Sequence, residues 1–260
     1  MKNILCVAFV VFSMDCVGQQ FKAATIEQIK SGVVPIVCVG QRPNTSSPYS
    51  YYVISIEGTG IIVGDGGAVV TAGHVAKGIF AQGRIPVCAI QAVYIPTNGW
   101  KPGAFDFDLS FVGITRCWWD DDIDAGICKL ATNPLQGKGI TVKPRPIELS
   151  AEFPKEGEAI AFTGFPLNVM QPITSQGTIG ALQGSPGKSL GAWNIVIDKN
   201  AWPGASGSPA YTTDGRVVGL LIQRGTDSAA GLAFVRTSPY ILKFLSDSKG
   251  EREKDAQASK

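Results

Sequence analysis

Short apolar runs, most of them separated by turns rich in glycine or proline, are what most constrains the fold of this chain. They stand at residues 33–39, 49–57, 59–63, 68–71, 84–95 and 108–114, and again at 159–163, 177–182, 193–197, 209–211, 217–222 and 231–235. In residues 49–57, Tyr51, Val53 and Ser55 alternate with Tyr52, Ile54 and Ile56, the two-residue period of a strand. The 31 glycines and 16 prolines supply the turns between runs, and helical periodicity is scarce. That pattern predicts an all-β chain built from barrels or sandwiches. The exception is residues 238–245, which read as one closing helix with Ser238 as its cap and Pro239 in the first turn.

Three stretches carry chemistry. In Trp202-Pro203-Gly204-Ala205-Ser206-Gly207-Ser208-Pro209, glycines lie two positions before and one after Ser206. Glycine takes dihedrals closed to other residues, so a bend here can push the hydroxyl outward and aim neighbouring N–H groups at one spot. This is what a nucleophile beside an oxyanion hole requires. Thr71-Ala72-Gly73-His74-Val75 holds the only histidine of the chain, just beyond a hairpin that turns at Gly64-Asp65-Gly66-Gly67. No other imidazole can act as base for Ser206 near neutral pH. Phe107-Asp108-Leu109-Ser110-Phe111 places a carboxylate in an apolar run, with Asp106 as its competitor because residues two apart on a strand face the same way.

In this order the three stretches resemble those around the histidine, aspartate and serine of the chymotrypsin-fold (trypsin-like) serine proteases. The nearer resemblance is to bacterial trypsin-like and HtrA-like protease domains. Residues 58–63 and 65–74 resemble their two strands leading to the histidine, and Asp198 and Pro203-Gly204 fit their approach to the serine. The likeness extends from about Val33 to Phe244, without room afterwards for the PDZ module of full-length HtrA-like proteins. It implies two packed six-stranded antiparallel β-barrels, over about residues 30–140 and 141–237, with Lys143-Pro144-Arg145-Pro146 as the link and the cleft between them.

The resemblance further implies a serine endopeptidase that works through an acyl-enzyme, with His74, Asp108 and Ser206 as the triad. Asp108 is favoured over Asp106 because Leu109-Ser110 follows it in the family's pattern. Gly204 and Ser206 would supply the oxyanion-hole N–H groups. Asn200 would lie by the first specificity pocket, Leu221-Ile222-Gln223 would form the edge that pairs with substrate, and Ala233 the back wall. With no acid at Asn200, a small or medium apolar, or uncharged polar, residue is expected before the scissile bond. Ser208 departs from the second glycine common after the nucleophile. The competing reading is a catalytically inactive protease-like protein that only binds peptides, but such a protein would lack a triad partner. An α/β-hydrolase esterase is excluded by the missing Gly-x-Ser-x-Gly elbow and by the chain order.

Composition narrows the partners. A net charge of +2 with 17% charged residues builds no nucleic-acid footprint and too little attraction for acidic membranes. Protein or peptide substrate remains the expected partner, with no cofactor and no metal. A basic start and a short apolar run make residues 1–20 a secretory signal peptide rather than a membrane span, so the product is expected to be secreted or periplasmic. Cys16 lacks a lipoprotein processing box. The protease domain would then cover 21–245, and the polar residues 246–260 a disordered tail. In an exported chain Cys117 pairs with Cys128 around the charged insertion holding Asp120, Asp121, Asp122 and Asp124, and Cys38 pairs with Cys88, although four cysteines permit three connectivities. Their spacing is not that of a structural zinc site.

Overall fold

The computed structural model describes residues 20–41, 51–80, 85–95, 106–136, 144–184, 192–226 and 229–258. The expected leader, apart from Gln20, and the loops at 42–48 and 96–103 lie outside these.

Two closed, six-stranded antiparallel barrels carry the chain, as the pattern of short strands requires. The first comprises β1 (Val33–Gln41), β2 (Tyr51–Val63), β3 (Ala68–Ala72), β4 (Ile85–Ile95), β5 (Asp106–Asp120) and β6 (Ala125–Leu130), in the spatial order β1-β2-β3-β6-β5-β4. The second comprises β7 (Ala159–Gly164), β8 (Ile173–Gly184), β9 (Ala192–Asp198), β10 (Pro209–Thr212), β11 (Val217–Arg224) and β12 (Leu232–Thr237), in the order β10-β11-β12-β9-β8-β7. Closure leaves no long open strand edge to aggregate. Among the described residues four α-helices accompany them: α1 (Ala23–Lys30), α2 (Gly73–Gly78), α3 (Ser238–Asp247) and α4 (Lys249–Ala258).

The side-chain period of two sorts the core. Along β1, Val34, Ile36 and Cys38 enter one apolar cluster with Ile62, Val69 and Cys88. Val33, Val37 and Val39 enter another with Ile61, Val70 and Val87. A strand buried on both faces reads as a continuous apolar run, which is how residues 33–39 appear in the sequence. The second of these clusters continues into the other barrel through Ala161, Tyr211 and Leu220, and into α3 through Ile241 and Phe244. Burying one such large apolar side chain is worth about 1.5–3 kcal/mol. A shared layer of this kind holds the two barrels, and therefore the loops that face each other across them, in one arrangement. A third cluster, with Ile160, Ile179, Ile195, Ile197 and Val235, lies within the second barrel.

Several expectations are corrected. Residues 117–128 are not a solvated insertion: β5 runs on to Asp120, turns through residues 121–124 and returns as β6, with Cys117 directly opposite Cys128. The charged tip disguised a hairpin whose flanks, Trp118, Ala125 and Ile127, are buried. Residues 249–258, expected to be disordered, form α4, anchored where Trp118 Nε1 donates to Asp255 and Arg116 pairs with it at 3.0 Å. α3 starts as expected, but Ser238 is its first residue and not its cap; its hydroxyl donates to the Ser150 carbonyl.

Of the two expected disulfides, Cys117–Cys128 is formed and Cys38–Cys88 is not. The register gives the reason. Cys38 lies opposite Pro86 and Cys88 opposite Ile36, so the two thiols are diagonal neighbours, beyond the usual reach of a disulfide. Burial pushes the Cys88 thiol far above its ordinary pKa, which keeps it unreactive. Non-reducing peptide mapping should therefore recover a linked Cys117/Cys128 peptide and alkylate Cys38 and Cys88 as thiols. The double substitution Cys117→Ser, Cys128→Ser should cost about 2–4 kcal/mol in denaturant unfolding.

Candidate active site

His74 is placed by a short helix and a tight turn. Gly73 opens α2, and a methyl group on it would lie 2.9 Å from Ala125 N and 3.1 Å from Asp120 O. Only glycine lets the start of α2 sit against the β5–β6 turn. At that contact the Asp124 carboxylate accepts two kinds of hydrogen bond from His74: one from its backbone N–H at 2.8 Å, and one from Nδ1, which is 3.1 Å from both oxygens. α2 has no side-chain cap of its own, so Asp124 satisfies one of its orphan N–H groups while gripping the imidazole. A carboxylate at Nδ1 makes Nδ1 the protonated nitrogen and leaves the Nε2 lone pair outward. The His74 side chain is 50% exposed and that of Asp124 25%.

The carboxylate that meets His74 Nδ1 is thus that of Asp124, where Asp108 was expected. Asp108 lies on β5 in register with Val93, and Asp106 with Ile95. The sequence did contain a signal: Asp124 directly precedes the apolar run Ala125-Gly126-Ile127-Cys128-Lys129-Leu130, a strand masked by the aspartates before it. Asp124 itself sits at φ 54, a left-handed conformation that aspartate tolerates better than most residues. Burial raises its pKa, but the hydrogen bonds from the His74 ring and amide, with the charges of His74 and Arg236, outweigh that and hold the carboxyl below its ordinary value.

Arg236 is a site residue that the sequence did not reveal. It is buried, stacks over Trp193 at 4.4 Å and reaches the Asp122 carbonyl at 3.5 Å. Burial pulls its pKa down to about 10, against the opposing charge of Asp124. Lys77 pairs with Asp121 at 2.9 Å and braces α2 on the same turn.

Ser206 arrives from the second barrel on two consecutive turns. Ala205 N donates to Trp202 O at 3.1 Å and Ser208 N to Ala205 O at 3.0 Å. Their third residues, Gly204 (φ 90) and Gly207 (φ 88), take the positive φ that a type II turn demands. Among the described residues the N–H groups of Gly204 and Ser206 have no acceptor, nor has the Ser206 hydroxyl a partner. Ser208, in place of the usual glycine, is buried and serves as a turn residue.

The first barrel holds this loop directly. Thr59 N donates to Ser206 O at 2.8 Å, and Thr59 Oγ1 donates to Gly204 O at 2.9 Å while accepting from Phe165 N at 3.0 Å. A methyl on Gly58 would lie 2.8 Å from Val75 and 3.0 Å from Ser206 O, and one on Gly207 would lie 3.1 Å from Ala72 N. The residues flanking Ser206 therefore pack against those flanking His74.

Of the residues expected to contact substrate, Leu221 has both backbone groups engaged within the protein. Its N–H donates to Ser208 O at 2.9 Å and its carbonyl accepts from Gly207 N at 2.7 Å, so its backbone supports the serine turn. β10 pairs with β11 only up to Leu220, which leaves Ile222, Gln223 and Arg224 along the same edge beyond it. Ile222 is buried at a bulge and Gln223 exposed. Asn200 is exposed just after β9, and Ala233 is fully buried on β12 opposite Ile197. Among the described residues no cluster of side chains could hold a metal ion, and no helix is long and apolar enough to cross a membrane.

Carboxyl titration by ¹³C NMR should find Asp124 ionising below the ordinary aspartate range. Its ionised form stabilises the fold at neutral pH, and that contribution fades as pH falls through the folded-state value. In His74→Ala the Asp124 midpoint should rise, because burial persists while the hydrogen bonds and charge of His74 are gone.

The family model for the trypsin-like peptidase domain matches residues 58–220, more than half of the chain. No curated protein shows significant similarity to it.

Proposed function

The chain belongs to the trypsin-like peptidase domain family, and on that premise we propose that it is a serine endopeptidase acting through an acyl-enzyme, with Ser206, His74 and Asp124 as its triad. The observation that carries this reading is the Asp124 carboxylate on His74 Nδ1, with the Ser206 turn packed against the same barrel edge. His74 Nε2 takes the Ser206 proton as Oγ attacks the scissile carbonyl. Asp124 keeps the imidazole in that tautomer and stabilises it once protonated. The amides of Gly204 and Ser206 receive the oxyanion, an arrangement supported by their lack of other acceptors. His74 then returns the proton to the leaving amine, and water repeats the sequence to release the acyl group.

Substrate backbone adds as a strand along Ile222–Arg224, a mode of recognition that tolerates many sequences. Uncharged Asn200 and small Ala233 favour a small or medium apolar, or uncharged polar, residue before the scissile bond. The Cys117–Cys128 bond supports secretion or a periplasmic location.

A fluorophosphonate should label Ser206 stoichiometrically and Ser206→Ala not at all, while wild type cleaves a denatured protein. Asp124→Asn should lose roughly 10⁴ in kcat, as a triad aspartate does. Asp108→Asn should keep near-normal turnover. A folded wild type that neither labels nor cleaves would leave only peptide binding.

A further inference from the structure

We propose that Leu167 is a positioning residue: its backbone N–H, held in the left-handed conformation, clasps the Pro203 carbonyl and fixes the Pro203–Gly204 peptide so that the Gly204 amide faces the reacting oxygen. The inference rests on the reading of Gly204 as an oxyanion donor.

The turn at Trp202–Ala205 does not settle this orientation by itself. Type I and type II turns differ by a flip of the central peptide, here Pro203–Gly204, and glycine at the third position accepts either. In a trans peptide the carbonyl and the N–H point in opposite directions. Whatever binds Pro203 O therefore decides where Gly204 N–H points. Leu167 N donates to Pro203 O at 2.8 Å.

Leu167 holds this place against its own preference. It lies at φ 57, ψ 33 inside the 3-10 turn Pro166–Asn168, and leucine, unlike glycine or asparagine, seldom adopts that conformation. Its side chain is 57% exposed, so apolar burial does not explain the geometry. Hydrogen bonds do. Val169 N donates to Pro166 O at 3.1 Å, and the buried Thr59 hydroxyl ties the start of this loop, Phe165 N, to Gly204 O. The two loops touch: a methyl on Gly204 would lie 2.5 Å from Phe165 O. Among the described residues only Asp124 and Leu167 are non-glycine residues with positive φ. One backs the histidine and the other backs the oxyanion peptide, and such conformations persist where surrounding structure enforces them for function.

The test uses Leu167→Pro, which removes the N–H and forces a negative φ, and Leu167→Val, whose β-branch disfavours the left-handed region. Either should lower kcat by about 10²–10³, the usual effect of losing one oxyanion donor, with KM little changed. Leu167→Asn and Leu167→Gly, which tolerate the conformation, should recover most of that loss. In [¹⁵N]glycine-labelled protein the Gly204 amide resonance should shift in the Pro and Val variants and return in the Gly variant. If Leu167→Pro does not fold, Leu167→Val decides. A folded variant with wild-type kcat and an unmoved Gly204 resonance overturns the proposal. A resonance that moves as expected, in a protein whose wild type neither cleaves peptides nor labels at Ser206, supports the latch and overturns the peptidase reading instead.

Discussion

One threonine joins the two halves of the site. Thr59 lies on β2 of the first barrel, fully buried, yet every polar group it has is engaged at the junction. Its amide holds Ser206 O, its hydroxyl bridges Gly204 O and Phe165 N, and its carbonyl accepts from Thr71 Oγ1 at 2.7 Å. Thr71 lies three residues before His74. A buried hydroxyl satisfied as both donor and acceptor specifies geometry sharply, because any displacement leaves a polar group without water or partner. The strand that leads toward the histidine is in this way bonded to the loop that carries the serine.

Around that junction the barrels act as rigid supports, and the reactive groups sit on short connections between strands. Apolar side chains shared by both barrels fix their relation, and the loops inherit it. Each reactive group is then held by something cheap and local. The His74 ring is held by a carboxylate that also caps the first turn of a six-residue helix. The Gly204 amide is aimed by the bond its own peptide makes to Leu167. Both arrangements rely on groups fixed in place by the fold, which is what electrostatic stabilisation of a developing charge requires.

Much of this was legible in the sequence, for physical reasons. Period-two burial and glycine-rich turns exposed most strands, and the glycines around Ser206 and the single histidine marked the two turns that pack together. Asp124 was missed as the partner of His74 because Asp108 stands in an obvious apolar run while Asp124 follows three other aspartates, and a run of like charges imitates a solvated loop. What distinguishes Asp124 is the strand it opens, a feature visible only once β5 and β6 are seen as one hairpin. Thr59, Arg236 and Leu167 gave no signal, since their roles depend on backbone groups brought together from far along the chain. α4 was hidden for a related reason: its polar composition suits a disordered tail, and it is held by Asp255 reaching Trp118 and Arg116.

Asp124 holds the imidazole through Nδ1, and the single histidine makes that bond directly measurable. Any slowly exchanging, hydrogen-bonded imidazole proton seen by ¹H–¹⁵N NMR belongs to His74. This proton should be bound to Nδ1, persist in Asp108→Asn, and disappear or move strongly upfield in Asp124→Asn. A proton on Nε2, or one that survives Asp124→Asn and is lost in Asp108→Asn, would contradict it.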